Sequence, residues 1–161
     1  MKHNSSVKEQ SLHPTTTGHT QLRSTQEPTP AELDERIITA LTAAGEKKAI
    51  DIVVLDLRDI ASFTDYFAIT SGANERQVQA IADGVSDTLK KNGTNAARIE
   101  GYKTAEWVLL DYGDFVVHVF DDKVRKFYDL ERLWREAKRV QLPDGITGDT
   151  DRANSSLRSE L

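Results

Sequence analysis

The chain has 161 residues, 38% of them hydrophobic, and a formal net charge of −5 at pH 7. This length is typical of one domain. Because the chain is acidic, we expect it to bind a protein surface and not to bind nucleic-acid phosphates directly. The lack of cysteine excludes disulfides and thiolate chemistry. Because there is neither a secretory signal nor an apolar run of the roughly 18 residues that span a bilayer, we expect a cytoplasmic protein without membrane attachment.

Polar sequence flanks the domain at both ends. Residues 1–29 are rich in Ser, Thr, Gln, His and Pro, and residues 141–161 have a similar polar character. Segments of this kind bury too little apolar surface to offset the entropy of ordering. We therefore predict a disordered N-terminal tail over 1–29, a folded domain over 30–140 and a flexible C-terminal tail over 141–161.

The first predicted element is a helix over residues 30–44. Thr29 and Glu32 have the spacing of a capping box, with proline at the first helical position between them. Apolar residues then recur at helical spacing, and Gly45 is typical of a C-terminal stop.

Two strands and a longer helix follow. Residues 50–57 are almost continuously apolar, which is typical of a strand covered on both faces, and residues 66–70 predict a second strand. The next helix begins at Asn74 and ends at Gly93. Its buried stripe comprises Val78, Ile81, Ala82, Val85 and Leu89.

The remaining elements complete a mixed sheet. A short strand is predicted over 97–102, a hairpin over 106–111 and 114–120, and a last helix capped by Asp129. The stripe of that helix comprises Leu130, Leu133, Trp134 and Ala137. The sequence thus predicts a single α/β domain with a mixed sheet of about five strands flanked by helices.

The two faces of the hairpin differ in composition. If the turn is Tyr112-Gly113, Trp107 lies opposite His118, and one face is wholly apolar and must face the core. The other face comprises Trp107, Leu109, Val116, His118 and Phe120. Two interpretations of it stay open: the last helix covers it and His118 is inert, or Trp107 is an exposed anchor of the kind enriched at binding hot spots.

Candidate catalytic groups are few. Ser71-Gly72 ahead of a helix could bind phosphate, but it lacks the rest of any phosphate-binding motif, and a tight turn is the more frequent role. Asp111 and Asp114 could share a metal ion, although turn formation is again the more frequent role. The residues themselves predict no catalytic group, metal or cofactor.

The chain resembles a known family in six successive blocks. They match, in order, the motifs of the Iojap family, the ribosomal silencing factors, and the resemblance covers about residues 31–136. The blocks are residues 51–56 (DIVVLD), 64–67 (TDYF), 71–83, 100–101 (EG), 107–119 (beginning WVLLDYGD) and 127–134 (FYDLERLW).

The resemblance implies a nucleotidyltransferase-like topology without enzymatic activity or a dedicated small-molecule substrate. It implies binding to the large ribosomal subunit through its fourteenth ribosomal protein, which blocks joining of the small subunit and represses translation under nutrient limitation. Assembly of the large subunit, a residual metal-dependent nucleotidyltransferase activity and a homodimer stay open as alternatives or additions. The residues it assigns to partner binding are Trp107, Leu109, Asp111, Tyr112, Val116 and His118, with Arg125 and Tyr128 as weaker candidates.

Overall fold

The computed structural model describes residues 33–146, which form four helices and six strands. The helices are α1 (Glu35–Glu46), α2 (Glu75–Lys91), α3 (Asp122–Tyr128) and α4 (Leu130–Leu133). The strands are β1 (Ile50–Asp56), β2 (Tyr66–Gly72), β3 (Arg98–Glu100), β4 (Trp107–Asp111), β5 (Phe115–Asp121) and β6 (Lys138–Arg139).

These strands form one mixed sheet in the order β3-β4-β5-β2-β1-β6. The central pair, β2 and β5, is parallel and in register from Tyr66–Phe115 to Gly72–Asp121, and the other neighbours are antiparallel. The predicted α/β class is therefore confirmed, with one strand more than expected. The extra strand is β6, whose two residues are too short to leave a periodic signal in the sequence.

Helices α1 and α2 cover one face of the sheet. All five residues of the predicted α2 stripe are buried, and Asn74 caps this helix by accepting a hydrogen bond from the Gln77 N–H. Gly72, at the end of β2, lets the helix approach closely, because a Cβ there would lie 2.9 Å from the Val78 nitrogen. Local capping and the apolar stripe together explain why this helix was predictable.

Helix α1 begins and ends later than predicted. It starts at Glu35, where the Asp34 carboxylate accepts the Arg36 N–H and also binds its guanidinium. The predicted cap at Thr29 lies outside the described residues. The helix runs through Gly45 to Glu46, and the left-handed residue that follows it is Lys48, with φ of 66°.

The opposite face is covered by α3, α4 and the segment that follows them. A helix begins after Asp129 as predicted, but α4 is a single turn, and Asp129, which is left-handed (φ 51°), makes no side-chain cap for it. Helix α3, which has Asp129 as its C-cap, was not predicted. Of the predicted stripe, Leu130 and Ala137 are buried, whereas Leu133 is 73% exposed. The one-turn α4 cannot keep four apolar residues on a single face.

The chain after α4 crosses the β1 edge from one face of the sheet to the other. Ala137 packs in the cluster beneath α3 and α4, whereas Val140 lies in the core beneath α1 and α2. Leu142 and Ile146 pack against that same core. The folded domain therefore continues to at least Ile146, beyond the predicted boundary at residue 140.

Candidate functional site

The hairpin has its expected faces but a different register. The Tyr112 N–H donates to the Phe115 carbonyl at 2.9 Å, so the two-residue turn is Gly113-Asp114 rather than Tyr112-Gly113. Trp107 consequently pairs with Phe120, and Leu109 pairs with His118. Because the shift is two residues, an even number, every side chain keeps its predicted face.

Trp107 is held in place at the edge of the mixed face. Its ring stacks on Phe120, with centroids 4.8 Å apart, and contacts Tyr128 at 5.1 Å. Its indole Nε1–H donates to His118 Nδ1 at 3.1 Å. The indole is partly exposed, since the ring is fixed from below and from one side only. The conformational entropy of the Trp107 side chain is therefore already restricted in the free domain.

His118 lies beneath the Trp107 indole and is only 3% exposed. An indole N–H can only donate, so Nδ1 is the acceptor and the neutral ring carries its proton on Nε2. Among residues 33–146, Nε2 finds no hydrogen-bond partner, and the ring lies edge-on to Phe67 at 4.4 Å. Burial lowers the pKa of His118 to about 4. The histidine therefore stays neutral and positions Trp107.

An exposed apolar surface extends outward from Trp107, and we term it the aromatic face. Its members are Ile60, Phe63, Trp107, Leu109, Phe127, Tyr128, Leu133 and Trp134. Phe127 is 79% exposed and Phe63 is 61% exposed. Exposed apolar residues that adjoin one another to this extent mark interaction surfaces on soluble domains.

Besides His118, three of the predicted contact residues lie below the surface. Val116 is buried under the aromatic face, and Tyr112 is buried on the opposite face, where it stacks on Phe115. Arg125 is only 5% exposed. These side chains, like His118, can influence binding only by supporting their neighbours, whereas Trp107, Leu109, Asp111 and Tyr128 reach solvent.

Arg125 holds three elements together. Its Nη1 donates to the Asp51 carbonyl at 2.9 Å and to the Ser71 hydroxyl at 3.0 Å, and its Nη2 binds Glu131 at 2.7 Å. Asp51 lies at an irregularity in the β1–β2 pairing and has φ of 50°. The guanidinium thereby binds the backbone at this irregularity of the sheet.

The candidate catalytic groups are occupied by structural contacts. Ser71 is fully buried in β2 and accepts from Arg125. Asp111 accepts the Gly113 N–H, whereas Asp114 binds Arg36 at 2.8 Å, so the two carboxylates serve different partners. Within the described range, no group of three or more His, Cys, Asp or Glu residues could hold a metal ion.

The aromatic face contains residues that the sequence analysis did not predict to be part of an exposed surface. Ile60 and Phe63 come from the loop after β1, and Phe127 and Leu133 come from two short helices. Loop residues follow no period, and a one-turn helix is too short to show one, so only tertiary structure brings them together.

Among residues 33–146, no helix has the length and apolar character needed to cross a bilayer.

Comparison with known proteins gives a consistent result. The family model "Ribosomal silencing factor during starvation" matches residues 30–160. The chain is 43% identical over 113 residues to the ribosomal silencing factor RsfS of Halalkalibacterium halodurans, covering 70% of this chain and 97% of that one. A mouse protein named for mitochondrial assembly of the ribosomal large subunit is 32% identical over 92 residues, 55% of this chain and 40% of that one.

A solved structure supports the same assignment. The crystal structure of a protein from Chromobacterium violaceum superposes with a TM-score of 0.62 at 36% sequence identity, covering 72% of this chain and 93% of that one. The fold, the six sequence blocks and the family match agree over the same part of the chain. The chain belongs to the ribosomal silencing factor (RsfS) family.

Proposed function

We propose that this chain binds the large ribosomal subunit through its fourteenth ribosomal protein and thereby prevents the small subunit from joining. The contact surface is the part of the aromatic face around Trp107 and Leu109, with Tyr128 at its border, and translation is repressed when nutrients are limiting. The family membership supports the ribosomal partner. The bacterial relatives support action in the cytoplasm.

One observation carries the placement of the contact surface: Trp107 is partly exposed and already fixed by His118 and Phe120. Tryptophan buries a large area on binding, and a prefixed ring loses little entropy in doing so. Leu109 lies beside it on β4, and Tyr128 contacts its ring from α3. The three side chains form the centre of a hot spot at the edge of the sheet.

The mechanism is steric and requires no bond chemistry. A standard interface of about 800 Å² per partner would hold the domain on the surface of the large subunit where the small subunit docks. The bound domain would then block that surface sterically. The factor needs only enough affinity to compete with the small subunit. Neither a cofactor nor a substrate enters the scheme.

Binding of purified protein to separated large subunits tests this proposal. We expect Trp107→Ala to weaken binding by about 2 kcal/mol, roughly 30-fold, because it truncates a hot-spot side chain. Tyr128→Ala, which changes a residue outside the buried core, should also weaken binding. Sedimentation with both subunits present should show fewer whole ribosomes with the parent chain than with either variant.

Ile99→Ala is the matched control, since Ile99 is 46% exposed and pairs with Leu110, whose side chain faces the α1–α2 side. It should bind like the parent. If folded Trp107→Ala and Tyr128→Ala variants both bind large subunits as the parent does, the contact surface lies elsewhere.

Assembly of the large subunit is the second candidate, favoured by the likeness to the mouse protein. The same surface would serve both roles. Ribosome profiles of cells without the protein separate them, since mature large subunits that join too readily indicate silencing and immature large subunits indicate assembly. A homodimer is a further prediction from the family resemblance, and sedimentation equilibrium of the purified chain measures it.

A further inference from the structure

Charge is unevenly distributed along this acidic chain. Residues 123–139 hold seven Lys or Arg against three Asp or Glu, whereas the rest of residues 33–146 holds nine against seventeen. The basic segment comprises most of α3, all of α4 and all of β6. The domain is therefore negative in total but positive at the end that carries this segment. A charged partner responds to this local potential and not to the net charge of the domain.

A groove lies at this positive end. It has a volume of about 830 Å³ and is lined by both basic and apolar side chains. Lys126, Arg132 and Arg135 contribute the cations, and Asp129 and Glu136 also line it. The volume is within the range of about 300–1,000 Å³ typical of small-ligand pockets, enough for one unstacked nucleotide.

The cations of the groove are available to a ligand. Arg132 and Arg135 are exposed, and within residues 33–146 neither side chain forms an ion pair or a hydrogen bond that would hold it to the domain. Lys126 is paired with Asp122 at 3.2 Å but is 78% exposed. Exposed guanidinium groups that are not held by the domain can bind phosphate oxygens through pairs of hydrogen bonds.

The apolar lining suits the flat face of a base. Phe127 and Tyr128 are 79% and 53% exposed, and Trp134, directly after α4, also lines the groove. Exposed aromatic rings beside cations are the combination that binds unpaired nucleotides, since bases stack on the rings while phosphates meet the charges. Tyr128 also contacts Trp107 at 5.1 Å, so the groove adjoins the proposed protein-binding surface.

We propose that the α3–α4 groove is an RNA-contact site that takes an unpaired nucleotide and its phosphates from ribosomal RNA next to the docked protein. This inference rests on the proposed function, because it supplies a second contact for the same bound state. The acidic remainder of the domain is repelled by RNA, so the basic end also sets the orientation in which the factor approaches.

The salt dependence of binding to large subunits tests the site. Each phosphate contact contributes a slope of roughly 0.7 to 0.9 to the plot of log affinity against log salt concentration. Arg132→Ala with Arg135→Ala should lower that slope by roughly 1.5 and weaken binding at low salt. Lys90→Ala with Lys91→Ala, at the exposed C-terminal end of α2, removes the same charge and should leave the slope nearly unchanged.

A proximity measurement identifies the partner. Because the chain has no cysteine, Leu133→Cys provides a single attachment point for an iron chelate that cleaves nearby RNA through hydroxyl radicals. We expect cleavage of ribosomal RNA from this position, and none from the matched Ile99→Cys variant on the other side of the sheet.

The outcomes separate the two proposals. An unchanged slope in the double-arginine variant, or no RNA cleavage from position 133 while the chain binds normally, overturns the RNA site and leaves the proposed function standing. The groove would then be a protein-binding surface. Failure of the parent chain to bind large subunits overturns both.

Discussion

At the scale of single residues, the defining feature is a polar bond inside an apolar face. The Trp107 indole donates to His118, which is buried among aromatic rings and has a second nitrogen without a partner in the described part of the chain. An unpaired buried N–H costs free energy. The arrangement therefore lowers the stability of the fold somewhat, but it fixes the orientation of the Trp107 indole, which favours binding if Trp107 contacts the partner as proposed.

The buried imidazole gives a pH dependence of known sign. Burial lowers the pKa of His118 to about 4 from an ordinary value of 6.5, so the unfolded chain takes up the proton first as the pH falls. The stabilising contribution is complete above pH 6.5 and is lost progressively toward pH 4. Urea unfolding should show a loss of about 2 kcal/mol between pH 7 and pH 5 from this group.

Two variants isolate this effect. His118→Phe should remove most of the difference between the two pH values, whereas Trp107→Phe, which keeps the histidine buried, should retain it. Measurement at pH 5 limits interference from carboxylates, whose ordinary pKa values are near 4. An equal pH dependence in the parent and in His118→Phe would mean that His118 is more accessible than the structure shows.

At the scale of helices and strands, Arg125 joins pieces that are distant in sequence. It links the irregular start of β1, the end of β2 and the first turn of α4 through hydrogen bonds to Asp51, Ser71 and Glu131. The Arg125 guanidinium also contributes to a lowered pKa of the Glu131 carboxyl, against the opposing effect of burial. The ion pair between Arg125 and Glu131 therefore fixes α3 and α4, the two helices that contribute residues to the aromatic face, against the sheet.

We expect Arg125→Met to lower the free energy of unfolding by about 3 kcal/mol or more, since it leaves Glu131 and buried oxygen atoms unpaired. Lys126→Met is the neighbouring control and should change it by no more than about 0.5 kcal/mol, because that side chain is exposed. Denaturant titration gives both values. A normally stable Arg125→Met variant that no longer binds large subunits would instead make the guanidinium a direct contact.

The sequence predicts the elements well where local signals and packing agree. The α2 helix combines a cap, a full buried stripe and a stop, and the hairpin faces survive a two-residue error in register because side chains alternate with period two. Helix α3 was not predicted, and Asp129 ends it in a left-handed conformation instead of capping α4 with its side chain. Propensity alone gives no reason for a turn there.

The candidate site was predicted only in part, for the same reason. Trp107 and Leu109 could be found because a strand exposes its faces to pattern analysis. The burial of Arg125 and the exposure of Phe63 depend on how segments far apart in sequence meet. No local pattern reports such contacts.

At the scale of the whole molecule, the C-terminal crossing segment secures the β1 edge of the sheet. The Val140 N–H donates to the Val54 carbonyl at 2.9 Å, and Leu142 and Ile146 reach the core beneath α1 and α2. A chain that ends at Val140 should lose about 1–3 kcal/mol of stability relative to one that ends at Ile146, through lost apolar burial.

Thermal unfolding of the two truncated chains measures this difference. The chain that ends at Ile146 should unfold within a degree or two of the full-length protein, since residues 147–161 have a polar composition. Equal unfolding temperatures for both truncated chains would show that the crossing segment adds no stability, and would return the domain boundary to residue 140.

The parallel pairing of β2 with β5 has a consequence for biosynthesis. Phe115 emerges from the ribosome 49 residues after its partner Tyr66. Until the hairpin is translated, a nascent chain therefore displays a strand that the folded domain buries along its whole length, with one edge unpaired. A pause in elongation between these two positions would prolong that exposure and invite aggregation or chaperone capture. Slow elongation between residues 66 and 115 would therefore be the condition under which this fold is most exposed to misassociation.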